Sequence, residues 1–411
     1  MNNLSKYLFF ILTICAILSL LISLPVSAQT GSSNMKTEST PSPDLDVQEH
    51  IEALLKTYNI TLANELQNGD TIEVHDPVEG TIRLLTGKSA AKIEALWQTI
   101  ILQTNELSAR PKEEREKAVR IIQSIEPGDV TYLDQDRSSY DMITKLERYQ
   151  TTKFFYSVNI ATNQIVEITL VDEFNINLTP LFTQNELEIK AREFITRVAP
   201  NTNLAYLTPN FGTKGSEIFF FRWEDHSRHL TGEMYPFIQI GLSQGGDLVH
   251  YVNTLQISTI SSTTTTMSFS EIYANGGNYW QWVSGSYNVK NNAGYCYIYG
   301  WCSPKNFYYQ NTCFGCMSAK GRWKPNPNPT VKARAFIPST HATTPMACYE
   351  SYYNGGSSWY EKCINQYIYY NAFVVITSNS LINIRRIDLS NTSDSSTTKE
   401  IAWDEIHVYT P

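Results

Sequence analysis

No cysteine occurs between Gln29 and Tyr295, no long apolar run follows Leu24, and lysine and arginine are nowhere gathered into a cluster. Each absence excludes something. Without cysteines, most of the chain cannot be held by disulfides or thiolate metal sites and must depend on apolar burial. Without a second apolar run, the part after Leu24 is expected to be soluble, with no membrane span. A basic surface able to neutralise phosphates is missing as well, and the net charge is −8, which excludes a nucleic-acid partner. None of the seven histidines lies in the H-E-x-x-H helix of a zinc hydrolase. His226-Ser227-Arg228-His229 lacks both the glutamate and the spacing.

What is present begins at the amino terminus. Lys6 precedes an apolar run from Tyr7 to Leu24, and the small triplet Val26-Ser27-Ala28 precedes Gln29. This reads as a signal peptide over residues 1–28 and predicts a secreted, extracellular protein. A retained anchor is the competing reading, because the run approaches the roughly 17–25 residues that span a bilayer; Pro25 and the triplet favour cleavage. Cys15 follows Ile14 rather than the small residues that a lipoprotein cysteine needs.

The six remaining cysteines, Cys296, Cys302, Cys313, Cys316, Cys348 and Cys363, all fall in the final third. In an oxidising compartment an even count reads as three disulfides. The alternative is zinc held by Cys296, Cys302 and the Cys313-x-x-Cys316 pair, although exported domains usually oxidise such thiols. Register assigns one pair. Ala347–Tyr353 and Trp359–Gln366 are β-prone runs around Asn354-Gly355-Gly356-Ser357, and a Gly-Gly centre accepts the positive φ angles of a two-residue hairpin loop. Counting outward from that loop sets Cys348 opposite Cys363, within reach of a disulfide. A bulge would shift the register and point the sulfurs to opposite faces. The other four cysteines would then pair among themselves within 296–316, with three connectivities open.

Along the chain, residues 29–46 are rich in Ser, Thr and Pro and read as a disordered linker. Residues 47–128 read as helical: Val47–Leu66, Ala90–Leu107 and Lys112–Ile125 each keep one apolar face, and Pro127-Gly128 ends the last. From Lys153 the period becomes alternating, with a hairpin through Ala161-Thr162-Asn163. A helix over Gln184–Val198 follows, then strands over Ile218–Trp223, Pro236–Leu242 and Leu248–Thr254. The Ser/Thr run 258–268 marks a boundary, and from Phe269 short alternating runs dense in Tyr and Trp predict an all-β sandwich.

Two resemblances accompany these readings. Helix 184–198, Phe219-Phe220-Phe221-Arg222-Trp223 and Pro236–Ser243 leading into Gly246-Asp247-Leu248-Val249 resemble the PepSY-type repeats of exported bacterial proteins. The segment 153–172 looks like a partial earlier copy, so that 129–257 would be a PepSY-like α+β region. The resemblance implies a role as inhibitor or folding chaperone of an exported protease. Tyr279-Trp280-Gln281-Trp282, Gly321-Arg322-Trp323, Ile337–Thr344, Ala347-Cys348-Tyr349, Tyr353–Gly356 and Ile401–Ile406 keep an order similar to the carboxy-terminal domain of golvesin and the carbohydrate-binding-like domain of xanthan lyase. The insert 296–316 departs from that pattern. This second resemblance implies a jelly-roll-like β-sandwich over 269–411 and, for some members, saccharide binding.

Candidate chemistry is sparse. Gly241-Leu242-Ser243-Gln244-Gly245 matches G-x-S-x-G, but a nucleophile elbow needs a helix after the serine and a strand-like run follows here, so a tight hairpin explains the glycines. Asp404 and Glu405, adjacent on an expected strand, should face opposite ways, one buried and one solvated; a structural calcium at the aspartate is an alternative. His341 reads as a loop residue. The aromatics Trp301, Phe307, Tyr308, Tyr309, Phe314 and Trp323 lie in or beside the insert, where exposed rings could stack on sugars; the alternative is core packing, which Trp280, Trp282 and Trp403 fit. The expectation is a secreted, non-enzymatic, cofactor-free protein with no catalytic residues. It would bind polysaccharide or cell-surface glycan through Trp301, Tyr308, Tyr309 and Trp323. The alternative partner is an exported protease.

Overall fold

The change of period near residue 130 is where helices give way to a sheet. The computed structural model describes residues 43–76, 80–138, 140, 144–230, 234–257, 270–272, 280–285, 287–290, 307–324, 332–353, 358–377, 384, 386–393 and 396–409. The signal-peptide segment, the 258–268 run, Trp301, Cys296, Cys302 and the loop 354–357 lie outside them. The chain divides into two units, Met1–Glu52 and Ala53–Pro411, and all the packing described below belongs to the second.

Helices α1 (Pro43–Asn68) and α2 (Gly87–Ser108) flank an antiparallel hairpin, β1 (Thr71–Asp76) and β2 (Gly80–Leu85). The expected helical region therefore contains two strands. Tyr58 and Leu62 pack with Leu85, Ile93, Trp97 and Ile100 in a small core, its Tyr58 and Trp97 rings 5.4 Å apart.

Helix α3 (Lys112–Ile125) precedes β3 (Thr131–Arg137), β4 (Lys145–Gln150), β5 (Phe154–Asn159) and β6 (Ile165–Leu170). Helix α4 (Gln184–Val198) precedes β7 (Thr208–Pro209), β8 (Gly212–Lys214), β9 (Ile218–Glu224), β10 (Phe237–Ser243) and β11 (Leu248–Asn253). A capping box starts α4: the Thr183 hydroxyl accepts from the Glu186 amide, and the Glu186 carboxylate accepts from the Thr183 amide. The strands form one sheet in the order β3-β4-β5-β6-β11-β10-β9-β7, with β8 also on β9. Each half is thus a helix followed by a meander, and the halves join antiparallel where Ile168 of β6 faces Tyr251 of β11. The first half therefore also begins with a helix, α3, and not with the hairpin at Lys153.

One sheet face is apolar and carries both helices, through Ala118 and Ile122 of α3 and Leu187, Ala191 and Ile195 of α4. The other face is covered by a β-sandwich. Its strands are β12 (Ser270–Ile272), β13 (Trp280–Gly285), β14 (Asn288–Lys290), β15 (Phe307–Asn311), β16 (Cys313–Phe314), β17 (Ala319–Trp323), β18 (Lys332–Ile337), β19 (Ala347–Tyr353), β20 (Ser358–Ile364), β21 (Ala372–Val375), β22 (Arg386–Ser390), β23 (Thr392–Ser393), β24 (Glu400–Trp403) and β25 (Ile406–Tyr409). Sheet β12-β25-β18-β21 and sheet β13-β17-β22-β19-β20 enclose one core, and β14-β15-β24 forms a smaller sheet beside them. The protein is an α+β amino half followed by a β-sandwich region.

The two regions share buried surface. Ile218, Phe220 and Val249 of the nine-stranded sheet belong to the sandwich core, and Leu146, Val166, Phe237 and Val252 pack with Phe336 and Phe373. Between these apolar contacts runs a row of buried polar groups. Lys332 of β18 lies 2.9 Å from Asp134 and 3.3 Å from Asp136, and Arg334 lies 3.1 Å from Asp136. Arg222 donates to the Asn371 carbonyl (2.9 Å) and Gln239 to the Tyr370 carbonyl (3.2 Å). Lys214 donates to the carbonyls of Ala342 (3.1 Å) and Gln366 (2.7 Å). A buried charge must be paired or hydrogen-bonded to be tolerated, and these groups are.

Candidate functional site

The sandwich edge that carries β14, β15 and β24 is the most chemically featured surface described. Tyr308 faces Val289 on one side and Trp403 on the other, and Tyr309 faces Asn288 and Ala402. Both tyrosines are half-buried against the core. Tyr287 stands edge-on to Tyr308 with centroids 5.0 Å apart and is 40% exposed. Burial pushes the Tyr308 hydroxyl pKa up. Tyr309 stacks on His341 at 3.8 Å and 20°.

His341 is held by a second contact. Its Nδ1 lies 3.2 and 3.1 Å from the two Glu400 carboxylate oxygens. Since a carboxylate only accepts, Nδ1 is the donor in this contact. The residue has a φ of 56°, in the left-handed region where a side chain is strained. Backbone bonds from Thr343 and Thr344 to the Glu400 carbonyl, 2.8 and 2.9 Å, fix this loop to β24.

Next to the dyad is an open cleft of about 480 Å³, lined on the sandwich side by Asn311, Thr343, Tyr367, Lys399 and Glu400 and on the sheet side by Gly215, Ser216 and Glu217. Tyr367 donates its hydroxyl to Glu217; burial first, and then this bond, raises the Tyr367 pKa. Gly215 has a φ of 57°, and a Cβ there would collide with the Tyr367 hydroxyl, so glycine permits the approach. Carboxylates, an amide, hydroxyls and an ammonium group thus line one cleft beside an aromatic wall, an arrangement that can hydrogen-bond and stack on a polyhydroxylated ligand.

The sequence-predicted residues separate here. Tyr308 and Tyr309 lie on this edge, and Trp301 lies outside the described residues. Trp323 is 1% exposed, its indole N–H donates to the Asp404 carbonyl at 3.2 Å, and it is a core residue rather than a stacking platform. Phe307 is buried too, whereas Phe314 is 63% exposed. His341, read as a loop residue, does lie in a loop. Its left-handed φ has no signature in a Ser-Thr-His-Ala run.

Asp404 and Glu405 are both buried, contrary to the expectation of one solvated carboxylate. They fall between β24 and β25, so strand alternation does not apply. Asp404 accepts from the Glu405 amide at 2.8 Å, and Glu405 is bonded to His407. Ser243 ends β10 in a strand-turn-strand hairpin, is buried, and accepts from the Asp247 amide at 3.0 Å; no helix follows it. Cys348 faces Cys363 across β19 and β20, and the two are joined by a disulfide. A second disulfide joins Cys313 to Cys316, so these sulfurs are not zinc thiolates. Among the described residues, a further grouping of possible metal ligands is Cys348, Glu361 and Cys363, whose cysteines the disulfide occupies.

No protein-family model and no curated protein matches the chain. Solved structures give distant similarities. The Bacillus megaterium YpeB C-terminal domain matches at 10% identity over 51% of this chain and 91% of that one, with a TM-score of 0.27. Paenibacillus xanthan lyase matches at 10% identity over 69% of this chain, TM-score 0.28, and the match spans 25% of the lyase. A structure from a study of carbohydrate-binding modules of the β-sandwich superfamily matches at 12% identity over 49% of this chain and 94% of that one, TM-score 0.21. Scores this low assign neither a shared fold nor a function.

Proposed function

We propose that this protein is exported and binds polysaccharide without cleaving it, through the β14-β15-β24 edge of a golvesin-like sandwich and the adjoining cleft. The observation that carries the reading is that the small β14-β15-β24 sheet carries the partly exposed Tyr287–Tyr308 pair on one face and, on the other, the Tyr309–His341 stack next to a cleft rich in hydrogen-bonding groups. Rings of this kind cover the apolar C–H faces of a pyranose, while the cleft satisfies its hydroxyls. The protease-partner reading, which would use the PepSY-like sheet, is weaker because the sheet's second face is already occupied by the sandwich. Retention of the purified protein on insoluble glycans tests the proposal. Wild type should be retained and Tyr308→Ala retained at least several-fold less, with an unchanged circular dichroism spectrum. Absence of wild-type retention on every glycan would defeat it.

A further inference from the structure

Resting on that reading, we infer that His341 is the hydrogen-bonding residue of the site, accepting from a sugar hydroxyl through Nε2. Three independent features converge on its ring. The backbone is left-handed at φ 56°, a conformation an L-residue adopts at a cost that surrounding structure must offset. The ring is fixed in rotation by the parallel stack on Tyr309, 3.8 Å away. Glu400 accepts a hydrogen bond from Nδ1–H, which in the neutral ring leaves Nε2 as a lone-pair acceptor.

Among the described residues Nε2 has no protein partner, while the side chain is 25% exposed. An imidazole oriented at one nitrogen and open at the other is an acceptor waiting for a donor. The position of the ring fits the role. Glu400 and Thr343, its hydrogen-bonding partner and its near neighbour in the chain, both line the cleft, so His341 stands at the rim, between the tyrosines and the polar pocket. A hydroxyl-bearing ligand entering the cleft past the Tyr309–His341 stack would meet this ring. Glu400 is then a positioning residue for His341.

The decisive variant is His341→Gly in the full-length protein, because glycine relieves the backbone while deleting the ring. Its melting temperature should stay within about 3 °C of wild type, as lost contacts and relieved strain oppose each other, while retention on the glycan that binds wild type falls at least tenfold. Long-range 1H–15N NMR should show the His341 proton on Nδ1 in wild type, and Glu400→Gln should redistribute it while weakening retention several-fold. Undiminished retention by His341→Gly, or a His341 proton resident on Nε2, overturns the inference and leaves the polysaccharide reading standing. A wild type that no glycan retains overturns both.

Discussion

Lys362 shows how a single residue feels the seam between the sheet and the sandwich. It is partly buried, donates to the Val375 carbonyl at 2.8 Å, and desolvation lowers its pKa to about 8, with Glu173 opposing the shift. Burial also lowers Lys214 and Lys332. A lysine whose folded pKa lies below its unfolded value of about 10.4 binds fewer protons when folded. Stability therefore rises with pH between the two values and is flat below the lower one. Lys362 alone should add about 1 kcal/mol between pH 8 and pH 9, a window chosen because the raised tyrosines act in the opposite direction as pH approaches their unfolded value of about 10. Urea midpoints at these two pH values should show the rise, and Lys362→Met should flatten it; an identical rise in the variant would show that the seam is not its origin.

At the scale of the element, legibility followed whether a strand's partner was water and core or another charge. Helices α2, α3 and α4 were readable because Ile93, Trp97 and Ile100, or Leu187, Ala191 and Ile195, recur at helical spacing and are buried. Strand β3 was not. Its inward positions are Asp134 and Asp136, polar where an alternating pattern calls for apolar residues, and their partners Lys332 and Arg334 lie almost two hundred residues away. A buried ion-pair strand has the sequence of a surface loop, and missing it left the first repeat half seen. The β1–β2 hairpin was missed although Ile72 and Val74 alternate, because that side chain set is exposed. The β19–β20 hairpin was legible from its ends, since the Gly-Gly count fixes a register that the ladder reproduces from Ala347↔Ile364 to Tyr353↔Ser358. Its disulfide closes a loop of sequence separation 15, which should be worth about 3 kcal/mol. The double variant Cys348→Ala, Cys363→Ala should lose that amount in guanidinium melts while still binding glycan. At the site, aromatic density found Tyr308 and Tyr309 but could not tell them from Trp323, because burial is set by β17's place in the five-stranded sheet and not by local composition.

At the scale of the whole molecule, the sheet and the sandwich are joined by paired charges as much as by apolar contact, and removing one partner strands the others. Asp136 is fully buried and held below the usual carboxylate range: burial opposes ionisation, and Lys332 and then Arg334 overcome it. Its contribution is present above the unfolded carboxylate pKa of about 4 and is lost as pH falls below that. Asp136→Ala should destabilise the protein by about 3–5 kcal/mol, the loss expected when buried cations lose their counterion. Calorimetry of the wild type should give one transition for both regions, and two separate transitions would contradict a shared core. The polar row on the inner sheet face also bears on how the chain is made. Strand β12 pairs with β25, Ser270 opposite Val408, so the sandwich cannot close until β25 is in place. Without the sandwich that sheet face would be mixed, with Lys214, Arg222, Gln239, His250, Asp134 and Asp136 set among Ile218, Phe220, Val249, Phe237 and Val252, and its polar groups should lower its tendency to aggregate. The sheet is expected to form first and to act as the template on which the sandwich assembles. Pulse-labelled hydrogen exchange during refolding should find the amides of β9, β10 and β11 protected before those of β18 and β25.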